Sequence, residues 1–351
     1  MVVVHHTFTK RRLVPAPALT RGRRRDWNER FAKMTSTPAR RFTVGVIGAG
    51  RVGAVLAARL RAAGHEVVAA AGESDATRER IAALLPDVPR RKPTDVARAC
   101  DLLLLTVPDD MLPNVVSVLS ASGAIRAGQL VVHTSGRHGL AVLAPAVAVG
   151  AEPLALHPAM TFTGTAVDLE RLDGCVFGVT AGAAQRALAE QLVADLGGRT
   201  TWVPEECRTL YHAALAHGAN HLVTLVAEAS ELLAAAGVDD PARTLRPLLT
   251  AALDNALANG DAALTGPIVR GDVETVRGHL AEVTRHAPHV LASYVALARA
   301  TLGRVVTDGR LLPIRGAKLR SVLDAAEDVA PTAGDAVVVR SESPGPRQPG
   351  Q

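Results

Sequence analysis

The segment that most constrains this chain is Phe42-Thr-Val-Gly-Val-Ile47, followed at once by Gly48-Ala-Gly50-Arg-Val-Gly53. The first run is short, β-branched and apolar, as a buried parallel strand should be. A G-x-G-x-x-G spacing that leaves such a strand and opens a helix, here from Arg51 to about Ala63, is the context that gives the motif meaning. Each glycine has its own physical role. Gly48 permits a tight turn, Gly50 lets the backbone approach a pyrophosphate, and Gly53 lets the helix pack closely on the strand. The helix N-terminus then faces the phosphate charge. Gly48, Gly50, Arg51, Val52 and Gly53 are therefore candidate dinucleotide-binding residues, the alternative being a glycine-rich turn of structural value alone.

The run after the second strand, at Glu66 to Ala70, reads the ribose 2′ position in such a unit. It is Ala71-Gly72-Glu73-Ser74-Asp75, with Arg78 and Arg80 in the next turn. Glu73 suits a ribose hydroxyl and repels a 2′-phosphate, whereas Ser74 and Arg78 suit that phosphate. NAD and NADP both stay open. Asp101-Leu-Leu-Leu-Leu-Thr-Val107 is the clearest buried strand; Val107 and Pro108 at its end join the candidate cofactor residues, and Asp109 or Asp110 is expected to cap the next helix.

Further strands are predicted at 130–133, 153–157, 175–179 and 199–203, with helices at 78–85 and 183–196. Strands alternating with helices indicate a doubly wound α/β sheet. After Pro204 only helical periodicity remains, at about 205–236, 241–259, 272–286, 288–303 and 316–328, with breaks at Gly237, Gly260 and Pro288. The expected fold class is a doubly wound Rossmann domain followed by an all-α domain, with an active-site cleft between them. The expected divisions are a disordered basic tail (1–41), a Rossmann NAD(P)-binding domain (42–203), an all-helical domain (204–330) and a disordered tail (331–351).

Composition supports this reading. A chain of 351 residues suits two domains. With 48% hydrophobic and 3% aromatic residues, the cores must be built from Ala, Val and Leu. No apolar run reaches the length of a bilayer span, and no signal core opens the chain. Three scattered cysteines, Cys100, Cys175 and Cys207, suit free thiols in a reducing cytoplasm. The net charge of +5 is uneven: residues 1–41 carry eleven Lys/Arg against Asp26 and Glu29, which leaves the remainder net acidic. The tail lacks a nucleic-acid motif or a basic amphipathic helix, so it reads as a solvated segment rather than a nucleic-acid arm, with Met34 an alternative start.

Several polar groups are candidates for chemistry. His133-Thr-Ser135-Gly136 and His157-Pro158, with Thr161, Thr163 and Gly164 beyond, stand at carboxyl ends of strands, where open α/β sheets bind ligands. On a regular helix through Tyr211 to Glu228, His217, Asn220, His221, Thr224 and Glu228 share one stripe about 100° wide. His, Asn and Thr on a stripe suit a cleft better than open solvent. His217-x-x-x-His221 has metal-ligand spacing, but no Glu follows His217, and no metal is expected. In Ala263-Leu-Thr265-Gly-Pro-Ile-Val-Arg270-Gly-Asp272, Asp272 is a helix cap, while Thr265 and Arg270 show no structural duty and become substrate-binding candidates.

Leu156-His-Pro-Ala-Met-Thr-Phe-Thr-Gly164, Tyr211-His-Ala-Ala-Leu-Ala-His-Gly-Ala-Asn220 and Ala263 to Asp272 carry a resemblance. Over about residues 42–330 the chain is similar to an uncharacterised family that pairs a Rossmann-like domain with a helical domain of unknown function 2520. More distantly, the order of parts is similar to ketopantoate reductase, pyrroline-5-carboxylate reductase and 6-phosphogluconate dehydrogenase. Ketopantoate reductase begins its second domain with a Lys and has Asn four and eight residues later. Those positions here are His212, Ala216 and Asn220, so only the last Asn is kept. The resemblance implies an NAD(P)-dependent oxidoreductase acting on a small carbonyl or imine compound. In that reading His212 or His157 passes a proton, Asn220 orients the substrate oxygen, and Arg270 holds an anionic group, with Ser135, Thr265 and His217 nearby. The alternative is a dinucleotide-binding sensor or scaffold without turnover. A helix of about 30 residues that is mostly Ala, Leu and Val needs cover, so a homodimer through the helical domain is expected.

Overall fold

The computed structural model describes residues 40–327. The expectations for residues 1–39 and 328–351, including the role of Met34, lie outside the described residues. Two residues of the expected tail are described, and both are tied down. The main chain of Arg40 exchanges hydrogen bonds with the Gln191 side-chain amide (3.3 and 2.9 Å), and Arg41 pairs with Asp195 at 3.1 Å. Contacts therefore begin ahead of Phe42.

The chain divides into two compact units between Leu215 and Ala216. The first is built on β1 (Thr43–Ile47), β2 (Glu66–Ala71), β3 (Leu102–Leu105), β4 (Leu130–His133), β5 (Glu152–Pro158), β6 (Val176–Ala181) and β7 (Arg199–Trp202). They form one sheet in the order β2-β1-β3-β4-β5-β6-β7. All neighbours are parallel except β5 and β6, which run antiparallel. Helices α1 (Arg51–Ala62), α2 (Asp75–Leu84), α3 (Pro93–Arg98), α4 (Leu112–Ala121), α5 (Ala144–Ala148), α6 (Val167–Arg171), α7 (Arg186–Asp195) and α8 (Arg208–Leu215) complete the unit.

The leucine run of β3 shows why such a strand carries no visible alternation. Leu102 and Leu104 face one core with Val44, Val46, Leu56 and Leu192, while Leu103 and Leu105 face the other with Ile47, Val116 and Leu119. Both faces are covered, so both sets must be apolar. The chain passes from β1 to β2 on one side and to β3 on the other, which makes the carboxyl ends of β1 and β3 a topological switch point.

Two local expectations change. Neither Asp109 nor Asp110 caps α4: Met111 holds the cap position, and a turn with Met111 and Leu112 donating to the Pro108 carbonyl precedes it. α2 begins at Asp75 rather than Arg78, because the Ser74 hydroxyl accepts from the Thr77 N–H at 3.2 Å and caps it.

The second unit contains a π-helical turn (Ala216–Asn220), α9 (His221–Ala235), α10 (Pro241–Asn259), α11 (Pro267–Arg270), α12 (Val273–His286), α13 (Leu291–Thr307) and α14 (Pro313–Glu327). The single long helix expected over 205–236 is thus interrupted. A π turn holds more residues than an α turn, so the uniform 100° step behind the expected stripe from His217 to Glu228 does not apply across it. The core of this unit joins Val276, Leu280 and Val283 of α12, Leu291, Val295, Leu302 and Val305 of α13, and Leu319 and Leu323 of α14. The helical stretch Pro288–Thr307 is long and apolar enough, by length and composition, to cross a membrane, contrary to the sequence expectation. One of its faces is buried in that core.

Candidate active site

The glycine turn lies in the switch-point crevice. Gly48 has φ +87°, and a Cβ there would stand 2.8 Å from the Thr106 and Val107 backbone. Thr106 locks the two strand ends together, its hydroxyl donating to the Gly48 carbonyl at 2.6 Å. A Cβ on Gly53 would collide with the Thr106 hydroxyl and the Gly48 carbonyl, whereas one on Gly50 would find nothing closer than 3.8 Å. Gly48 and Gly53 are therefore demanded by packing. Gly50 is not, and the space in front of it is open. That is the cradle a pyrophosphate needs at the N-terminus of α1, and the residues present fit a dinucleotide. Val52 packs at the edge of the first core and Val107 at the edge of the second. Glu73 and Ser74 are exposed beyond β2. The Ser74 hydroxyl is engaged in its cap, and Arg78 is engaged with Asp75 and with the Glu73 carbonyl at 3.0 Å.

A second polar cluster forms at the carboxyl ends of β4 and β5. Because β6 runs antiparallel to β5, it sets Gly178 opposite His157. The missing side chain at Gly178 leaves room for Tyr211 of α8; a Cβ there would lie 2.5 Å from the phenol oxygen. Tyr211 Oη is 3.1 Å from His157 Nδ1. Beside His157 also stands His212, with ring centroids 5.7 Å apart. Gly136 lies against both imidazoles, since a Cβ on it would be 2.5 Å from His212 Cδ2 and 3.0 Å from His157 Nε2. Burial, reinforced by Arg208 and His212, pushes His157 down to about 4.

The loop after β4 is held rigidly. His133, fully buried, engages the Gly139 carbonyl through Nε2 at 2.8 Å and accepts the Ser135 N–H through Nδ1 at 3.2 Å. These bonds fix one neutral tautomer, and burial pushes its pKa to about 4. The Ser135 hydroxyl accepts from the His138 N–H at 3.1 Å, so its visible duty is within the turn. Glu205 accepts the Leu140 and Ala141 N–H groups at 2.6 and 3.0 Å.

Arg208 ties these pieces together. It is 1% exposed. Its guanidinium donates to the Gly178 carbonyl at 3.0 Å, to the His138 carbonyl at 2.9 Å and to the Ser135 carbonyl. Sequence reasoning missed Arg208 and Tyr211. A signal existed for the first: Arg208 opens a helix, where a cation meets the positive end of the dipole and needs another reason to be there.

The loop beyond His157 is organised by the buried Asp168, also missed, whose carboxylate accepts from the Thr163 and Gly164 N–H groups at 2.8 and 2.7 Å. The structure thus brings Ser135, His157 and His212 together. Asn220, His217, Thr265 and Arg270 belong to the second unit. Asn220, Thr265 and Arg270 are exposed there, and His217 Nδ1 meets His221 Nδ1 at 3.0 Å. Arg270, expected to lack a structural duty, pairs with Asp272 at 2.8 Å. Asp272 holds the N-cap position of α12 as expected, but its side chain makes no capping hydrogen bond.

Residues 31–158 match the model of a Rossmann-like domain, and residues 175–301 match that of the domain of unknown function DUF2520. A protein of Bacteroides fragilis, provisionally described as an NADP oxidoreductase, is similar in structure with TM-score 0.64 and 21% identity, over 74% of this chain and 98% of that one. The imine reductase of a Pseudomonas species superposes with TM-score 0.57 and 19% identity, over 81% and 100% of the two chains. The imine reductase of Myxococcus stipitatus, in complex with NADP+, does so with TM-score 0.53 and 16% identity, over 82% and 95%. At these identities the likeness is one of fold. No curated protein matches the sequence significantly.

Proposed function

Taking as premise a chain that carries a Rossmann-like domain followed by a DUF2520 domain, we propose that it is an NAD(P)-dependent oxidoreductase acting on a small carbonyl or imine compound. The observation that carries this reading is the open cradle at Gly50, on the same carboxyl edge of the sheet as the His157–Tyr211–His212 cluster. Similar folds described as an NADP oxidoreductase and imine reductases support it.

A dinucleotide held at the Gly50 turn would supply or accept the hydride. The residues of this chain handle the proton and the orientation. His157, pushed down to about 4, stays neutral near pH 7 and cannot serve as an imidazolium acid. With Tyr211 donating to Nδ1, its proton sits on Nε2, on the side facing Gly136. That N–H is a fixed donor for a substrate oxygen or nitrogen. His212, half-buried beside it, is the group that passes the proton. Arg208 keeps the loop carrying Gly136 in register with both. The candidates of the second unit enter no step of this proposal.

The second unit supports a homodimer. α9 has no buried residue and α10 buries only Leu245, while Val223 is 71% and Leu257 80% exposed. Apolar faces of that extent call for cover by a second copy. The three free thiols suit a reducing compartment.

The test is a titration of the purified chain with NADPH and NADH, followed by turnover with a panel of ketones and cyclic imines read at the dihydronicotinamide absorbance. Binding with turnover is the expected result. Binding without turnover on any compound favours the sensor reading, and no binding removes the proposal.

A further inference from the structure

Two arginines without an acidic partner among the described residues converge beside the glycine turn. Arg51 opens α1, whose first turn has no acidic residue. Arg80 lies half-buried on α2. Both reach one point: a Cβ built on Gly164 would stand 2.6 Å from Arg80 Nε and 3.0 Å from Arg51 Cγ. The Gly164 loop is itself anchored by Asp168, so it acts as a fixed wall behind the pair. The neighbouring cations are otherwise engaged, Arg78 with Asp75 and Arg171 with Asp168. The Arg80 guanidinium and the stem of Arg51 meet at this loop, which puts two positively charged side chains beside the positive end of a helix. An anion held there offsets that charge, and the planar fork of Arg suits the oxygens of a phosphate.

Which phosphate it is follows from the fold. With a pyrophosphate at Gly50, the adenosine ribose of a dinucleotide points toward the end of β2, where α2 begins. Arg80 stands on that helix, and Arg51 directly follows Gly50 at the start of α1. We propose that Arg51 and Arg80 clamp the 2′-phosphate of NADP(H) and make it the preferred dinucleotide, an inference that rests on the dinucleotide reading above. The clamp is distinct from Glu73, Ser74 and Arg78, the residues that the strand-end position alone suggests. Glu73 opposes it, and the clamp outweighs that single exposed carboxylate.

The test is calorimetric titration of the full chain with NADP+, NAD+, 2′,5′-ADP and 5′-AMP. The wild type should bind NADP+ and 2′,5′-ADP at least about tenfold more tightly than NAD+ and 5′-AMP, as charge-assisted bonds to a phosphate imply. Arg80→Ala, checked for unchanged circular dichroism, should erase most of that preference while leaving NAD+ affinity within about twofold, and Arg51→Ala should lower NADP+ affinity by a larger factor than NAD+ affinity. Equal affinity of the wild type for both dinucleotides overturns the clamp and leaves the dinucleotide reading intact. So does an equal loss for NADP+ and NAD+ in the variants, which would put the pair on the pyrophosphate. Failure to bind either dinucleotide overturns both.

Discussion

Tyr211 Oη lies 3.1 Å from His157 Nδ1, and the phenol reaches that place only because strand β6 sets a glycine, Gly178, opposite the histidine. A phenol that donates to Nδ1 leaves the His157 proton on Nε2. Tyr211→Phe should leave the fold within about 1 kcal/mol, the worth of one net hydrogen bond. Its mark should appear in the ¹⁵N shifts of the His157 ring, moving from a single neutral tautomer toward a mixture. Unchanged shifts would take the tautomer-setting role away from Tyr211.

The glycines separate packing from ligand approach. Gly50→Ala meets open space and should leave the stability of the ligand-free protein within about 0.5 kcal/mol, as for other surface substitutions, while dinucleotide affinity drops at least about tenfold. Gly136→Ala drives a methyl into the His212 ring and should cost roughly 1–3 kcal/mol in denaturant melts, as overpacking does. The reverse ranking of stabilities would show that the crowded glycine is the one at the turn.

Arg208→Met removes the donors of three carbonyls and should lower stability by about 3 kcal/mol or more. Arg208→Lys, with a single ammonium, should fall between that variant and the wild type. Equal stability of all three proteins in urea would contradict the clamp on the loop after β4.

Acid should destabilise the first unit before its carboxylates titrate. His133 and His157 are held near 4 in the folded state against a usual 6.5, so the unfolded chain takes up protons that the folded one refuses. Their contribution is therefore fully present above about pH 6.5, is lost as the pH falls from there toward 4, and is constant below. The total is about 3 kcal/mol per histidine, for a fall from 6.5 to about 4 at roughly 1.4 kcal/mol per unit. Urea midpoints that stay flat between pH 6.5 and 5 would count against buried neutral imidazoles.

Much of this was legible in the sequence for reasons of scale. The strand at Thr43–Ile47 and the glycines behind it are local, and a buried parallel strand shows as an unbroken apolar run whatever lies around it. His157 and His212 were readable as candidates because strand ends and polar helix stripes are local too. What was hidden depends on partners far along the chain. The reversed direction of β6, which pairs His157 with Gly178, leaves no trace in periodicity, and Tyr211 gains its meaning only through that pairing. The π turn at Ala216–Asn220 has no compositional mark, so a regular helix was the natural reading, and the uniform step assumed for its stripe does not hold across the turn. Arg270 lost its apparent freedom to Asp272, two residues away and read only as a cap.

The position of Arg208 also fixes an order of events. A chain emerges from the ribosome amino end first. By Trp202 every strand of the sheet has been made, yet the residue that grips the carbonyls of Ser135, His138 and Gly178 comes six positions later. A chain ending between the two would carry all seven strands of the sheet and still lack the side chain that holds the loop after β4.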